Sequence, residues 1–419
     1  MTNRFIRRVA GLAVPAVVAL TFSACNVQVT NPGPIQATFL DNKNALTAIV
    51  NGAGRNLSES LNWTAYTGAA IARELHPAGS TGSFGITVQQ QSGRLTEDEG
   101  NTFWNNAQRA RWTAEDAVRR TKEILGDTDA AKSVQVAQAL VWAGYANRHL
   151  GENFCDCVID GGPKEAYTVY LDRAEANFTE AIAVATAAGT TGATLVTAAT
   201  AGRAGVRLLK GNLAGAATDA ATVPNTFVYQ MSYFTTDLDQ YNRIYWASAN
   251  QPYRAHTVWN TFYENYRKQT RDPRVPFDSS LTVTLGDAAV GALGRVRWYF
   301  QTKYPSQTAK INLSSGWEMR LIEAEAKLVA NDVTGAMTLI NGRRTALALA
   351  PWTATNATEA WTALKRERGI ELWMEARRLG DFRRWTALQR PGESEDMTGR
   401  SLCFVIPLSE KETNPNLTP

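Results

Sequence analysis

Alanine-rich stretches with helical spacing recur along this chain, and they constrain its fold more than any other feature. They occupy residues 168–188, 194–222 and 315–347. The second is split at Gly211-Asn212 and the third at Asn331-Asp332. Small side chains let antiparallel helices approach closely. Helix pairs returning every ~34 residues are the pattern of tetratricopeptide-like stacking. Further helices are predicted near 41–58, 62–75, 101–125 and 130–150. In the last of these, Val134, Ala137, Val141 and Tyr145 follow the spacing of one helical face. Gly144 on that helix leaves room for a close neighbour. The expected fold is all-α, built of tetratricopeptide-like helical hairpins.

Two stretches break the pattern. Residues 76–100 hold five glycines and no helical period, which predicts a long loop. Residues 224–305 hold 17 of the 39 aromatic residues of the chain, interleaved with Asn, Gln and Arg. This stretch reads as an irregular, loop-rich aromatic insertion. Trp104 and Trp112 fall on a predicted helix and are expected in the core.

The first residues carry Arg4, Arg7 and Arg8 and no acid, then an apolar run from Val9 to Phe22 that ends in Ser23-Ala24-Cys25. A basic start, a short apolar core and small residues before a break describe a secretory leader. The run falls short of the ~20 apolar residues that a membrane-spanning helix needs. The formal charge is +4, and loss of this leader removes three arginines and leaves +1. A nearly neutral chain gives no support to nucleic-acid binding, so no nucleic acid is expected as a partner. The end of the apolar run resembles a lipoprotein lipobox, with Phe22 where Leu is usual. That resemblance implies lipid attachment at Cys25. The expected organisation is a leader over 1–24, a tether over 25–40 and one domain over 41–419.

Specific catalytic spacings are missing: there is no HExxH, no GxSxG and no phosphate-binding glycine loop. His76, His149 and His256 lack any evident Cys or acidic partner, so they read as structural or surface histidines. With three His and four Cys, no metal site and no cofactor are expected. An oxidising compartment makes one disulfide reasonable, from Cys155 or Cys157 to Cys403. Cys157 and Cys403 are the candidate pair.

The densest charge pattern is residues 365–385, KRERGIELWMEARRLGDFRRW. Glu367, Glu371 and Glu375, spaced by four, would share one helix face. Arg368 and Arg378 stand three residues from Glu371 and Glu375, which predicts a ladder of ion pairs along that helix. Ile370, Trp373, Met374 and Leu379 would face the core. Paired carboxylates can mark a glycosidase, but the flanking arginines favour a structural network.

This segment resembles the C-terminal signature of the SusD/RagB family, through Glu367, Arg368, Glu371, Leu372, Glu375, Arg378, Asp381, Arg384 and Trp385. Phe382 stands where that signature has Leu. Residues 405–417 (VIPLSEKETNPNL) resemble the closing motif of the family. Residues 317–326 (WEMRLIEAEA) and 271–274 (RDPR) resemble two further motifs. The resemblance implies an outer-membrane, surface-exposed lipoprotein without catalytic activity. Such a protein captures a glycan or oligopeptide and passes it to a SusC-type TonB-dependent transporter. Within the insertion, Trp246, Tyr253, Trp259 and Tyr263 are the candidate ligand contacts, with Arg254 as a polar partner. Sugar C–H faces stack on such rings, and pockets generally combine apolar walls with a few polar groups. Phe84 of the 76–100 loop could join them. A surface glycan hydrolase and a scaffold that binds only proteins are the alternative functions.

Overall fold

A computed structural model describes residues 37–79, 86–249 and 253–417. Cys25, the leader, most of the tether and Phe84 lie outside the described residues. Helix α1 (Leu46–Ile71) precedes the short α2 (Val88–Gln91) and α3 (Asn101–Ala130). Then come α4 (Val134–Asn153), α5 (Thr168–Ala187), α6 (Ala193–Leu209) and α7 (Leu213–Ala221). Beyond lie α8 (Phe262–Thr270), α9 (Gly316–Val329), α10 (Val333–Ala346), α11 (Ala357–Glu371), α12 (Arg378–Ala387) and α13 (Leu408–Thr413). The fold is all-α, as the sequence predicts.

The helix starts are written locally. Ser133, Asn212, Ser315, Asp332 and Asn356 each accept a backbone N–H from the first turn of the helix that follows. Such caps satisfy donors that a helix start otherwise leaves unpaired. The two breaks at Gly211-Asn212 and Asn331-Asp332 are therefore caps. Gly126 kinks α3, with φ 71°.

Helices α3 to α7 pack each on the next, and α1 lies across α3 and α4. Helix α7 packs on α9, so the stack resumes beyond the insertion and continues through α10 and α11. Phe178 of α5 enters between α4 and α6. A Cβ on Gly144 or on Gly202 would sit 2.6 Å from its Cε1 atom. Gly144 does admit a close neighbour, and that neighbour is an aromatic ring.

Among the described residues, four two-stranded antiparallel ladders fasten the connections. Strand β1 (His76–Pro77) pairs with β5 (His256–Thr257), and β2 (Asp156–Cys157) pairs with β3 (Glu165–Ala166). Strand β4 (Val228–Met231) pairs with β8 (Ile311–Ser315), from Val228↔Ser315 to Met231↔Ile311. This ladder closes the base of the insertion. Inside it, β6 (Phe277–Ser279) pairs with β7 (Tyr299–Gln301).

Four expectations need correction. The helices near 41–58 and 62–75 are the single α1, because Asn62 at the apparent break spends its side chain on another segment instead of capping. The disulfide joins Cys155 to Cys403, and Cys157 is a free, buried thiol. Phe154 and Phe404 form an isolated bridge, and Cys155 N–H donates to the Phe404 carbonyl at 2.9 Å. That bridge sets Cys155 beside Cys403. Two residues on, Cys157 turns into the core cluster of Trp104, Phe154 and Phe404. Trp112 is 53% exposed, whereas Trp104 is buried.

The expected ladder along 365–385 also has other partners. Helix α11 ends at Glu371, so Glu375 leaves the shared face and pairs with Lys303 at 2.8 Å. Arg368 makes a two-pronged pair with Asp381, and Arg378 pairs with Glu395. Glu367 and Glu371 both meet Arg274, which also holds Asp272 at 2.8 Å. Arg344 and the Trp352 indole reach Glu367 as well. Residues 272–274, 344 and 367–371 thus converge on one buried ion cluster. Ile370, Trp373, Met374 and Leu379 are buried in the core.

Candidate functional site

Most rings of the insertion are structural. Tyr233, Tyr263, Tyr266, Trp298 and Tyr304 are buried. Tyr263 was a candidate ligand contact, and the structure corrects this: it is fully buried and stacks on Trp373, centroids 5.5 Å apart. Its hydroxyl donates to Glu395 at 3.3 Å. Burial pushes that phenol well above its usual range, with the Glu395 charge adding to the effect.

Three half-buried rings form a different group. Trp246 lies between Tyr241, at 5.2 Å with planes 74° apart, and Tyr253, at 5.1 Å with planes 51° apart. The edge-on and tilted geometries are those aromatic pairs prefer. The group rests on buried polar anchors from α1. Asn62 donates to the Tyr241 carbonyl at 2.5 Å and accepts the Arg243 N–H at 2.7 Å. Between them Asn242, fully buried, donates to the Ala309 carbonyl and accepts the Tyr245 N–H. The Arg243 guanidinium lies 3.3 Å above the Trp63 ring.

From Asn242 the chain enters a π-helical turn over Ile244–Ala249. It returns at Ala255, whose N–H donates to the Ala247 carbonyl at 2.9 Å. Ala78 N–H then donates to the Ala255 carbonyl, and β1–β5 continues the tie. The Ala247–Ala255 bond brings the flanking Trp246 and Tyr253 together. The Trp246 Nε1 donor has no partner among the described residues.

The other candidates stand apart from the three rings. Trp259 packs on Ala78, Val290 and Val296 and meets His76 edge-on at 5.3 Å. Arg254, at φ 32°, donates its Nε to the Leu285 carbonyl at 3.2 Å, which ties it to the 285–287 loop. In the sequence Tyr241 is one of the 17 aromatic residues of the insertion, with nothing local to set it apart. Its signal was proximity to Trp246 five residues on, which only a π-helical turn makes useful.

Among the described residues no group of three or more His, Cys, Asp or Glu gathers as a metal site. No described helix is long and apolar enough to cross a membrane. His149 and His256 are buried and their imidazoles are pushed down to about 3, first by loss of solvent. Glu367, Glu371 and Glu375 are all engaged with cations, so none stands ready as a free carboxylate in a cleft.

No curated protein matches the chain. The SusD family model matches residues 210–416. A SusD superfamily protein from Bacteroides thetaiotaomicron has a similar structure, with a TM-score of 0.66 at 14% identity over 90% of this chain and 98% of that one. One from Parabacteroides distasonis gives 0.65 at 14% identity over 90% and 98%. A SusD-like carbohydrate-binding protein from Bacteroides vulgatus gives 0.59 at 17% identity over 81% and 83%. The matched region holds the ion cluster of Arg274, Glu367 and Glu371 and the closing segment around Asn414. The chain thus carries a SusD family match over residues 210–416 and, across 81–90% of its length, the fold of SusD-like proteins.

Proposed function

We propose that this chain is a non-catalytic capture protein that binds a glycan on the Tyr241–Trp246–Tyr253 rings. It hands that glycan to a SusC-type TonB-dependent transporter. The observation that carries the reading is the position of Trp246: half-buried between two tyrosines, on a segment anchored to α1 through Asn62, with an indole N–H that has no partner among the described residues. Ring faces offer contact to sugar C–H groups, and the indole supplies a donor for a hydroxyl. The carbohydrate-binding relative from Bacteroides vulgatus supports a glycan over an oligopeptide. A lipid on Cys25 would hold the protein at the surface of the outer membrane.

Titration calorimetry of the purified chain against polysaccharides and a peptide library tests the ligand. Glycan binding is expected, with Trp246→Ala weakening it at least tenfold, about 1.4 kcal/mol, while the helical circular dichroism is unchanged. Heat from peptides alone would transfer the site to oligopeptides. Release of reducing ends from a polysaccharide would sink the non-catalytic reading. Affinity capture from detergent-solubilised outer membranes tests delivery, and failure to recover a large β-barrel counts against it.

A further inference from the structure

A cavity of about 450 Å3 opens between α1, α4, β4 and residues 232–240. It is larger than the cavities of about 280 Å3 beside Arg73 and beside Trp104. It lies nearer the start of α1 than the three rings do: Asn51, Arg55 and Ser58 line it, whereas Asn62 supports Tyr241. Its volume falls within the roughly 300–1,000 Å3 of small-molecule sites.

The lining is apolar on one side and neutral-polar on the other. Trp142, Met231 and Phe234 supply the apolar surface. Phe234 is 54% exposed and stands at the rim. Trp142 is held in place from two directions. Its indole lies against α1 at Gly54, where a Cβ would come within 3.1 Å of Nε1, and it packs on Tyr229 at 5.6 Å. A mid-helix glycine carries an entropic cost, and here it makes space for that ring.

The polar groups are amides and hydroxyls from Asn51, Ser58, Gln230, Ser232 and Gln240. The one ionisable lining residue, Arg55, is already paired with Glu59 at 2.9 Å and stands 3.8 Å from Asp237. A charged ligand therefore meets no free opposite charge. A wholly apolar ligand would strand the amides. Gln240 is decisive: it is 4% exposed, forms part of the wall, and its Nε2 has no hydrogen-bond partner among the described residues. Buried amides are normally paired, and an unpaired one beside a cavity marks where a ligand oxygen fits.

We infer that this cavity is a second ligand site, which takes an uncharged sugar ring on Trp142 and Phe234 with its hydroxyls on the side-chain amides of Gln240 and its neighbours. The inference stands on residues separate from the Trp246 group and survives if that group proves inert.

The test is indole-resolved NMR of the full chain, with the Trp142 resonance assigned by Trp142→Phe. The probes are methyl glucoside, methyl galactoside, methyl mannoside and N-acetylglucosamine, with glucuronate and cyclohexanol as controls. At least one neutral sugar should shift the Trp142 indole signal, in the wild type and equally in Trp246→Ala. Phe234→Ala, at an exposed position, and Gln240→Ala should each weaken that binding at least fivefold. The idea fails if no neutral sugar moves Trp142, or if the shift vanishes in Trp246→Ala. It also fails if both cavity variants bind like wild type, or if either control binds more tightly than every sugar.

Discussion

Phe178 is pinned between two helices, and replacing Gly202 by Ala turns that geometry into a number. The ring is fully buried. A Cβ at position 202 would stand 2.6 Å from Cε1, against ~3.5–4.0 Å for a relaxed carbon contact. The overlap is thus about 1 Å. The ring cannot retreat, because Gly144 approaches the same Cε1 from α4 at the same virtual distance. Overpacking costs roughly 1–3 kcal/mol, and an overlap of this size on a ring held from both sides belongs in the upper half, about 2–3 kcal/mol. Alanine in mid-helix returns about 1 kcal/mol of propensity. Gly202→Ala should therefore destabilise the α4–α5–α6 stack by about 1–2 kcal/mol. Hydrogen-exchange mass spectrometry reads this locally: amides of these helices should exchange roughly 5- to 30-fold faster, with α10 unchanged. The double variant sharpens the test. Once Phe178→Ala has removed the ring, Gly202→Ala should stabilise, giving a coupling of at least about 2 kcal/mol. A neutral Gly202→Ala, or simple additivity with Phe178→Ala, would refute the steric argument.

Arg274→Met should cost about 3–5 kcal/mol, because it leaves the buried carboxylates of Asp272 and Glu367 without their shared cation. Arg366→Ala, which breaks an exposed pair with Glu393 and a contact over the Trp352 ring at 5.9 Å, should cost about 1 kcal/mol or less in the same thermal melt, and equal losses would contradict this ranking. Burial pushes the Glu74 carboxyl up to about 8. The folded state therefore holds a proton that the unfolded chain releases above about 4.5, and stability falls as pH rises toward 8. Glu74→Gln should remove that decline between about pH 5 and 8, and an unchanged slope would clear Glu74 of responsibility. His149 and His256 act at the other end: the folded chain keeps them neutral, so stability falls as pH drops below about 6.5. Denaturation midpoints across pH 4–7 should show this. In Cys157→Ser, non-reducing peptide mapping should still recover the 155–403 crosslink, whereas a 157–403 peptide in the wild type would overturn the assignment.

What was legible in the sequence was local. Asn212 and Asp332 cap the helices that begin beside them, so the breaks between hairpins could be read from neighbours in the chain. Gly144, a glycine within a predicted helix, could be read as a point of close approach. Partners across the chain were another matter. Arg368 had Glu371 within reach on the same helix, yet it meets Asp381 from α12, because α11 stops and the chain turns back. Met374 and Ala376, both at φ 59°, make that turn, and no helical period announces it. The aromatic insertion shows the same limit. Tyr263 and Tyr253 look equivalent as letters, but one is sealed beneath Trp373 and the other stands beside Trp246. Their fates depend on where α8 docks, a long-range event, and on the Ala247–Ala255 tie, which no helical or strand period announces.

The bridge from Cys155 to Cys403 spans 248 positions, and everything between them forms a closed covalent ring. That ring contains the aromatic insertion, the Trp246 group and the Arg274 ion cluster. A protease that cuts one peptide bond anywhere within it opens the ring but releases nothing. The two arms stay joined through sulfur, and the packed helices hold them in register. One surface nick therefore leaves a single molecule of unchanged mass plus one water. Loss of a fragment requires a second cut or a reductant.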